Sequence, residues 1–146
     1  MAVREMSDHE CIDCLKKSHF GHLACAKDGF PYIVPIHFAF GFEKLYVFSL
    51  PGQKIDWLRA NPKACIQVEE RSDHMPWRSV VVTGSYRELP DTSEHHNERV
   101  HAWDLLQERQ LWWEPGSYKP DKNSSAALSP IFFGIVIDTM SGRQML

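Results

Sequence analysis

The sequence predicts a mainly β protein with flanking helices, built on a six-stranded antiparallel sheet rolled into a closed or partly closed barrel. Three observations predict it. Six runs rich in β-branched and aromatic residues are separated by turn signals, without the strand–helix alternation of a parallel sheet. One run, Tyr32 to Phe40, is apolar on both faces at period two, as a strand covered on both sides would be. A short helical segment between two strands fits a plug at a barrel end better than it fits a sandwich, the plain alternative.

The elements follow in order. Ser7-Asp8-His9-Glu10 reads as a capping box, with Ser7 the N-cap and Glu10 reaching back. Ile12 and Leu15 give this helix an apolar face, and it ends near Ser18. His19 to Ala26 is the first strand. Asp28-Gly29 is a hairpin turn, because glycine tolerates positive φ. From Tyr32 to Phe40, Tyr32, Val34, Ile36, Phe38 and Phe40 share one face; Ile33, Pro35, His37 and Ala39 share the other. Pro35 has no N–H to give a ladder, so it marks a bulge or a free edge where something else pairs. Gly41 breaks that run, and Leu45 to Leu50 is the next strand. Pro51-Gly52 turns the chain into a helix from Lys54 to Ala60, with Ile55 and Leu58 inward, which Asn61-Pro62 stops. Ala64 to Glu69 and Arg78 to Leu89 are strands on either side of a polar loop, Arg71 to Pro76. A further helix starts at Asp91-Thr92-Ser93-Glu94 and sets Val100, Trp103 and Leu106 at helical spacing. Trp112 to Pro130, rich in Pro, Ser and Gly, reads as a long loop. Ile131 to Asp138 is the last strand.

A length of 146 residues fits a single domain, 1–146, able to bury a core without a disulfide or metal staple. The net charge of −3 excludes nucleic acid as the main partner, because counterion release needs a basic face. No apolar run approaches a membrane span, and Met1 to Glu10 has no apolar leader, so a soluble cytoplasmic protein is expected. The four cysteines, Cys11, Cys14, Cys25 and Cys65, read as small buried residues in a reducing compartment. Cys11 and Cys14 form a C-x-x-C pair, but inside a helix and without two more ligands nearby, so no metal site is expected.

Nucleotide-loop and hydrolase signatures are absent: there is no G-x-G-x-x-G, no P-loop and no G-x-S-x-G. His95, His96 and His101 have no i, i+4 pair and read as solvated helix residues. His37 lies on a strand beside Pro35, either packed and hydrogen-bonded or next to a ligand. Phe48-Ser49-Leu50-Pro51-Gly52-Gln53-Lys54 places a hydroxyl at a strand end, a Pro-Gly turn and a lysine opening a helix, which together suit a phosphate. Trp77-Arg78-Ser79 puts an arginine at the entrance of the valine-rich strand, where it is either solvated or shares that phosphate with Lys54.

Taken in order, these pieces resemble the FMN-binding split-barrel family of pyridoxamine 5′-phosphate oxidase-related flavoproteins. More closely, the chain looks like the subgroup that includes the 5-nitroimidazole resistance proteins. The resemblance runs from about Glu5 to Gly142. It rests on the opening helix, Gly21-His22-Leu23-Ala24, Asp28 to Phe38, Leu45-Tyr46-Val47-Phe48-Ser49, Gly52-Gln53-Lys54, Asn61-Pro62 and Trp77 to Gly84.

The resemblance implies a six-stranded, Greek-key split barrel with FMN in a cleft between two subunits of a homodimer. Ile33, Val34, Pro35 and Ile36 would border the ring, partly through backbone groups. Ser49 and Lys54 would hold the phosphate end, Arg78 and Ser79 would approach the flavin, and Phe48 and Trp77 are expected among the cofactor-binding residues. Gln53-Lys54 stands where the oxidase branch has Arg-Lys, so one phosphate cation is missing, with Arg59 or Lys63 as substitutes. The substrate-holding arginine and histidine near the C-terminus have no match in Ile131 to Leu146, which counts against pyridoxamine phosphate oxidase activity. Trp112-Trp113 either caps the ring or packs as ordinary aromatics.

The implied function is a small oxidoreductase. It would pass electrons from a reduced nicotinamide or similar donor to a small acceptor such as a nitroaromatic, with His37 as the proton or substrate contact. The alternatives are a non-catalytic flavin- or haem-binding sensor or carrier, and a deazaflavin-dependent reductase.

Overall fold

The computed structural model describes residues 2–73, 76–109, 111–115, 117, 119 and 130–145. Among them are eight strands and three α-helices: β1 (Val3–Glu5), α1 (Asp8–Lys17), β2 (Phe20–Lys27), β3 (Phe30–His37), β4 (Ala39–Gly41), β5 (Lys44–Ser49), α2 (Gln53–Ala60), β6 (Lys63–Arg71), β7 (Trp77–Leu89), α3 (His96–Gln107) and β8 (Ile131–Met145). All pairings are antiparallel. The strand order is β3-β2-β6-β7-β8-β5-β4, with β1 added to β8.

Flat, the end strands β3 and β4 would lie roughly 29 Å apart, at 4.8 Å per spacing. Yet only Phe38 separates them in the chain. The sheet therefore curls until its two edges meet at Phe38, whose N–H bonds the His19 carbonyl at 3.0 Å. The expected strand Tyr32 to Phe40 is thus two strands that change partner at Phe38. The six expected strands become eight through this break and through β1, whose three residues are ordered only by pairing with β8. The ends are joined by the chain rather than by a ladder.

Local sequence explains the turns and caps. The capping box is present: Ser7 Oγ accepts from Glu10 N at 3.2 Å, and Glu10 Oε1 accepts from Ser7 N at 3.0 Å. Asp28 and Gly29 both have positive φ, 52° and 81°, as a type I′ turn requires. At the bulge where β8 carries the extra residue Asp138 opposite Thr83 and Gly84, a Cβ on Gly84 would run into the Val136 carbonyl, so only glycine lets β8 approach there.

Two cores follow from strand alternation. Inside the curled sheet, Leu23, Ile36, Phe38, Leu45, Val47, Ile66, Val80, Val82, Phe133 and Ile135 pack with Leu15 of α1 and Leu58 of α2. Outside β4, β5 and β8, Tyr46, Phe48 and Phe132 pack under Ala102 and Leu106 of α3 and under Trp112. The inward face of α3 is therefore Ala102 and Leu106 with half-buried Trp103; Val100, expected inward, is exposed. A 3₁₀ turn at Ser93–His95 precedes α3. Cys11, Cys14 and Cys25 are buried, and burial pushes the Cys14 thiol up to about 11. No helix among the described residues is long and apolar enough to cross a membrane.

Candidate functional site

Among the described residues, no helix lies over the outer face of β3-β2-β6-β7. The expectation that the Tyr32–Phe40 strand is covered on both sides is corrected here: Tyr32 and Val34 pack inward, but Ile33 is 64% exposed. Register continues this face across four strands. Ile33, Ala24, Cys65 and Thr83 form one cross-row; Pro35, His22, Gln67 and Val81 form the next. Phe20 and His37 sit beyond them, their rings 5.3 Å apart. Small side chains make the floor, and Phe20, Ile33 and Val81 stand exposed on it.

β3 is also the sheet edge. In a two-residue hairpin the pair flanking the turn is hydrogen-bonded and the pattern then alternates. Lys27 and Phe30 flank the turn, so Tyr32, Val34 and Ile36 bond β2, while Pro31, Ile33, Pro35 and His37 turn their main chain outward. Pro35 thus marks a free edge and removes no bond from β2. Between the two prolines, Ile33 offers both an N–H and a C=O.

A cleft of about 250 Å³ runs beside that edge. Tyr32, Val34 and Pro35 form one wall, Leu50 to Lys54 the other, and Glu114 and Pro115 close the end. Lys54, on the first turn of α2, is only 7% exposed. Its Nζ donates to Glu114 Oε1 at 3.1 Å, and Leu50 N donates to Glu114 Oε2 at 3.1 Å. Tyr32 and Trp57, with rings 5.5 Å apart, brace α2 against β3.

The expected site residues divide. Val34, Pro35 and Lys54 meet at the cleft. Ile33 and His37 lie on the adjoining outer face. His37 Nδ1 is buried without a hydrogen-bond partner, and burial pushes its pKa below the usual histidine range. Ile36 is a core residue whose main chain bonds β2, so it offers the free edge no polar group. Ser49 is fully buried and donates from Oγ to the Leu50 carbonyl at 2.9 Å, shaping the turn from within. Phe48 packs in the outer core against Trp112. Trp77 and Ser79 lie on the open face, where Ser79 Oγ accepts from Gln67 Nε2 at 3.2 Å.

Arg78 is engaged within the chain. Strand alternation turns it to the opposite face from Ser79, toward α1. There its Nη2 donates to the Glu10 carbonyl at 3.0 Å and its Nη1 lies 3.4 Å from Asp13 and 3.7 Å from Glu70. These contacts tie α1 to the sheet. Arg59 is likewise engaged, by Glu88 at 2.8 Å. Glu114 was not identified from sequence: it lies 60 residues from Lys54, in a segment with no pattern.

Comparison with known proteins decides the family. A family model described as pyridoxamine 5′-phosphate oxidase matches residues 7–144. The chain belongs to this family. Within the pyridoxamine 5′-phosphate oxidase family, an uncharacterized protein of Rhizobium meliloti is 49% identical over 144 residues, covering 98% of this chain and 95% of that one. A crystal structure from Mesorhizobium loti, described as a FAD-binding protein, is 44% identical with a TM-score of 0.84 and full coverage of both chains. A Bacteroides thetaiotaomicron structure, provisionally described as a 5-nitroimidazole antibiotic resistance protein, shares the fold at 19% identity, with a TM-score of 0.72 over 99% of this chain and 89% of that one.

Proposed function

We propose that this chain is a cytoplasmic flavoprotein that binds FMN between two copies of itself. It would pass electrons from a reduced nicotinamide or similar donor to a small acceptor such as a nitroaromatic. The observation that carries this reading is the cleft where a buried lysine, a helix start and the free edge of β3 meet.

The residues fit such a ligand. Lys54 is an ammonium already out of water, suited to a phosphate. The Ile33 N–H and C=O suit a ring edge that carries both carbonyls and an imide N–H. The cleft is smaller than the roughly 300–1,000 Å³ of a complete small-molecule site. A second copy laid on the apolar outer face would supply the missing wall.

When bound, the flavin supplies the electron and hydride chemistry. Lys54 and the Leu50 N–H hold the anionic end, and the β3 edge orients the ring. His37, whose pKa burial lowers and whose Nδ1 has no hydrogen-bond partner, would be the contact for a proton or a substrate atom. FAD is the second reading, favoured by the description of the 44% identical Mesorhizobium loti protein.

The test is to purify the protein without added cofactor, record its visible spectrum and weigh the released ligand. A flavin spectrum with one FMN per subunit is the expected result, and a FAD mass selects the second reading. A Soret band moves the function to haem. A colourless protein that takes up no added flavin overturns the proposal.

A further inference from the structure

Glu114 spans the two donors that the cleft offers to an anion. Its Oε1 takes the Lys54 ammonium and its Oε2 the Leu50 N–H, both at 3.1 Å. This two-oxygen fork is the one a phosphate monoester would present to the same pair of donors. Among the described residues Lys54 has this single ion pair. The Lys54 side chain is 8% exposed against 27% for Glu114, so the carboxylate lies on the solvent side of the ammonium.

Glu114 is held there from both directions. Before it, Trp112 is buried in the outer core against Phe48 and Trp103. After it, Ser117 returns two hydrogen bonds to the Glu114 carbonyl, from N at 3.1 Å and from Oγ at 2.7 Å. The Trp113 indole N–H bonds the Ser117 carbonyl at 2.8 Å and tightens the same turn. These bonds anchor the Glu114 main chain and leave its carboxylate held only by Lys54 and Leu50.

We infer that Glu114 is a built-in counter-anion, occupying the phosphate position of the cleft and giving it up to a phosphate-bearing ligand. A buried ammonium without an anion is costly, so the ligand-free chain supplies its own. The exchange has a consequence for affinity. A phosphate gains from Lys54 only the excess over what Glu114 already provides, and it meets the displaced carboxylate nearby. Glu114 therefore lowers affinity for the anionic end of the ligand and leaves its neutral part untouched. That the ligand is a flavin rests on the function proposed above; the anion exchange does not.

The test compares the wild type with Glu114→Gln, a near-isosteric change that removes the charge. Three probes are titrated: inorganic phosphate by thermal shift, and riboflavin and FMN by flavin fluorescence. The expected result is roughly a tenfold or greater gain in phosphate and FMN affinity, with riboflavin unchanged, as removal of one competing charge at a shielded site allows. Adding Lys54→Met to the variant should abolish the gain. Glu114→Ala provides the same comparison if the glutamine variant misfolds. Unchanged or weaker phosphate binding in a folded variant overturns the inference. A gain for phosphate with no flavin bound by any form sustains the inference and sinks the flavin reading instead.

Discussion

The two halves of one sheet are finished differently. Outside β4, β5 and β8, the apolar residues Tyr46, Phe48 and Phe132 are sealed by α3 and Trp112. Outside β3, β2, β6 and β7, Ile33, Phe20 and Val81 face solvent, with no element of the described chain over them. Both halves use the same strand alternation, so composition does not separate them. The difference is that one half is sealed by α3 and Trp112, whereas the other stays open among the described residues. The free edge of β3 and the Lys54 cleft both border the unsealed half. Binding is therefore expected where the chain has not completed its own packing.

Substitutions can break this comparison, and the largest effect belongs to the sealed half. Leu106→Ala removes a fully buried side chain from under α3, and should cost about 2–5 kcal/mol of stability. Chemical denaturation reads that loss, and flavin affinity of the folded fraction should stay as it was. An equal loss of flavin affinity would show that the halves are coupled. Ile33→Asp acts on the open half. It should leave far-UV circular dichroism unchanged, convert a dimer to a monomer in sedimentation and remove flavin binding. A wild type that sediments as a monomer at working concentration defeats the shared-site model outright. Lys54→Met sharpens the contrast within the cleft. It should weaken FMN by roughly tenfold while leaving riboflavin alone, because only the charge-assisted bond is lost.

The smallest effect is acid-linked. Arg59 donates to Glu88, as does the Tyr86 hydroxyl, and together they outweigh burial and hold the Glu88 carboxyl below its usual range. A carboxylate with a lowered folded pKa stabilises above its unfolded value of about 4.3, and that stability is lost as pH falls through the folded value. The pair is partly exposed, so Glu88→Gln should flatten the acid limb of a Tm profile by less than about 1 kcal/mol.

Much of the fold was legible because its signals are local. The capping box at Ser7, the Asp28-Gly29 turn, the stop at Asn61-Pro62 and the meaning of Pro35 each depend on a few neighbouring residues. What escaped depends on distance in sequence. β1 exists only through β8, more than a hundred residues away. The break at Phe38 interrupts no hydrophobic pattern, because both strands it joins are apolar. Arg78 sits one residue from Ser79, and one residue is enough to reverse the face. For the cleft, Lys54 and Pro35 were visible as separate oddities. Their meeting, and the closure by Glu114, required the curled sheet.

The spacing of Pro31 and Pro35 along the open edge has one more consequence. An apolar edge strand is a template on which other chains can grow, and such growth ends in aggregates. Here every second outward-facing position before His37 lacks an N–H, so a foreign strand can find acceptors but no continuous row of donors. A newly made chain can carry this edge bare, protected from self-templating by two missing hydrogens.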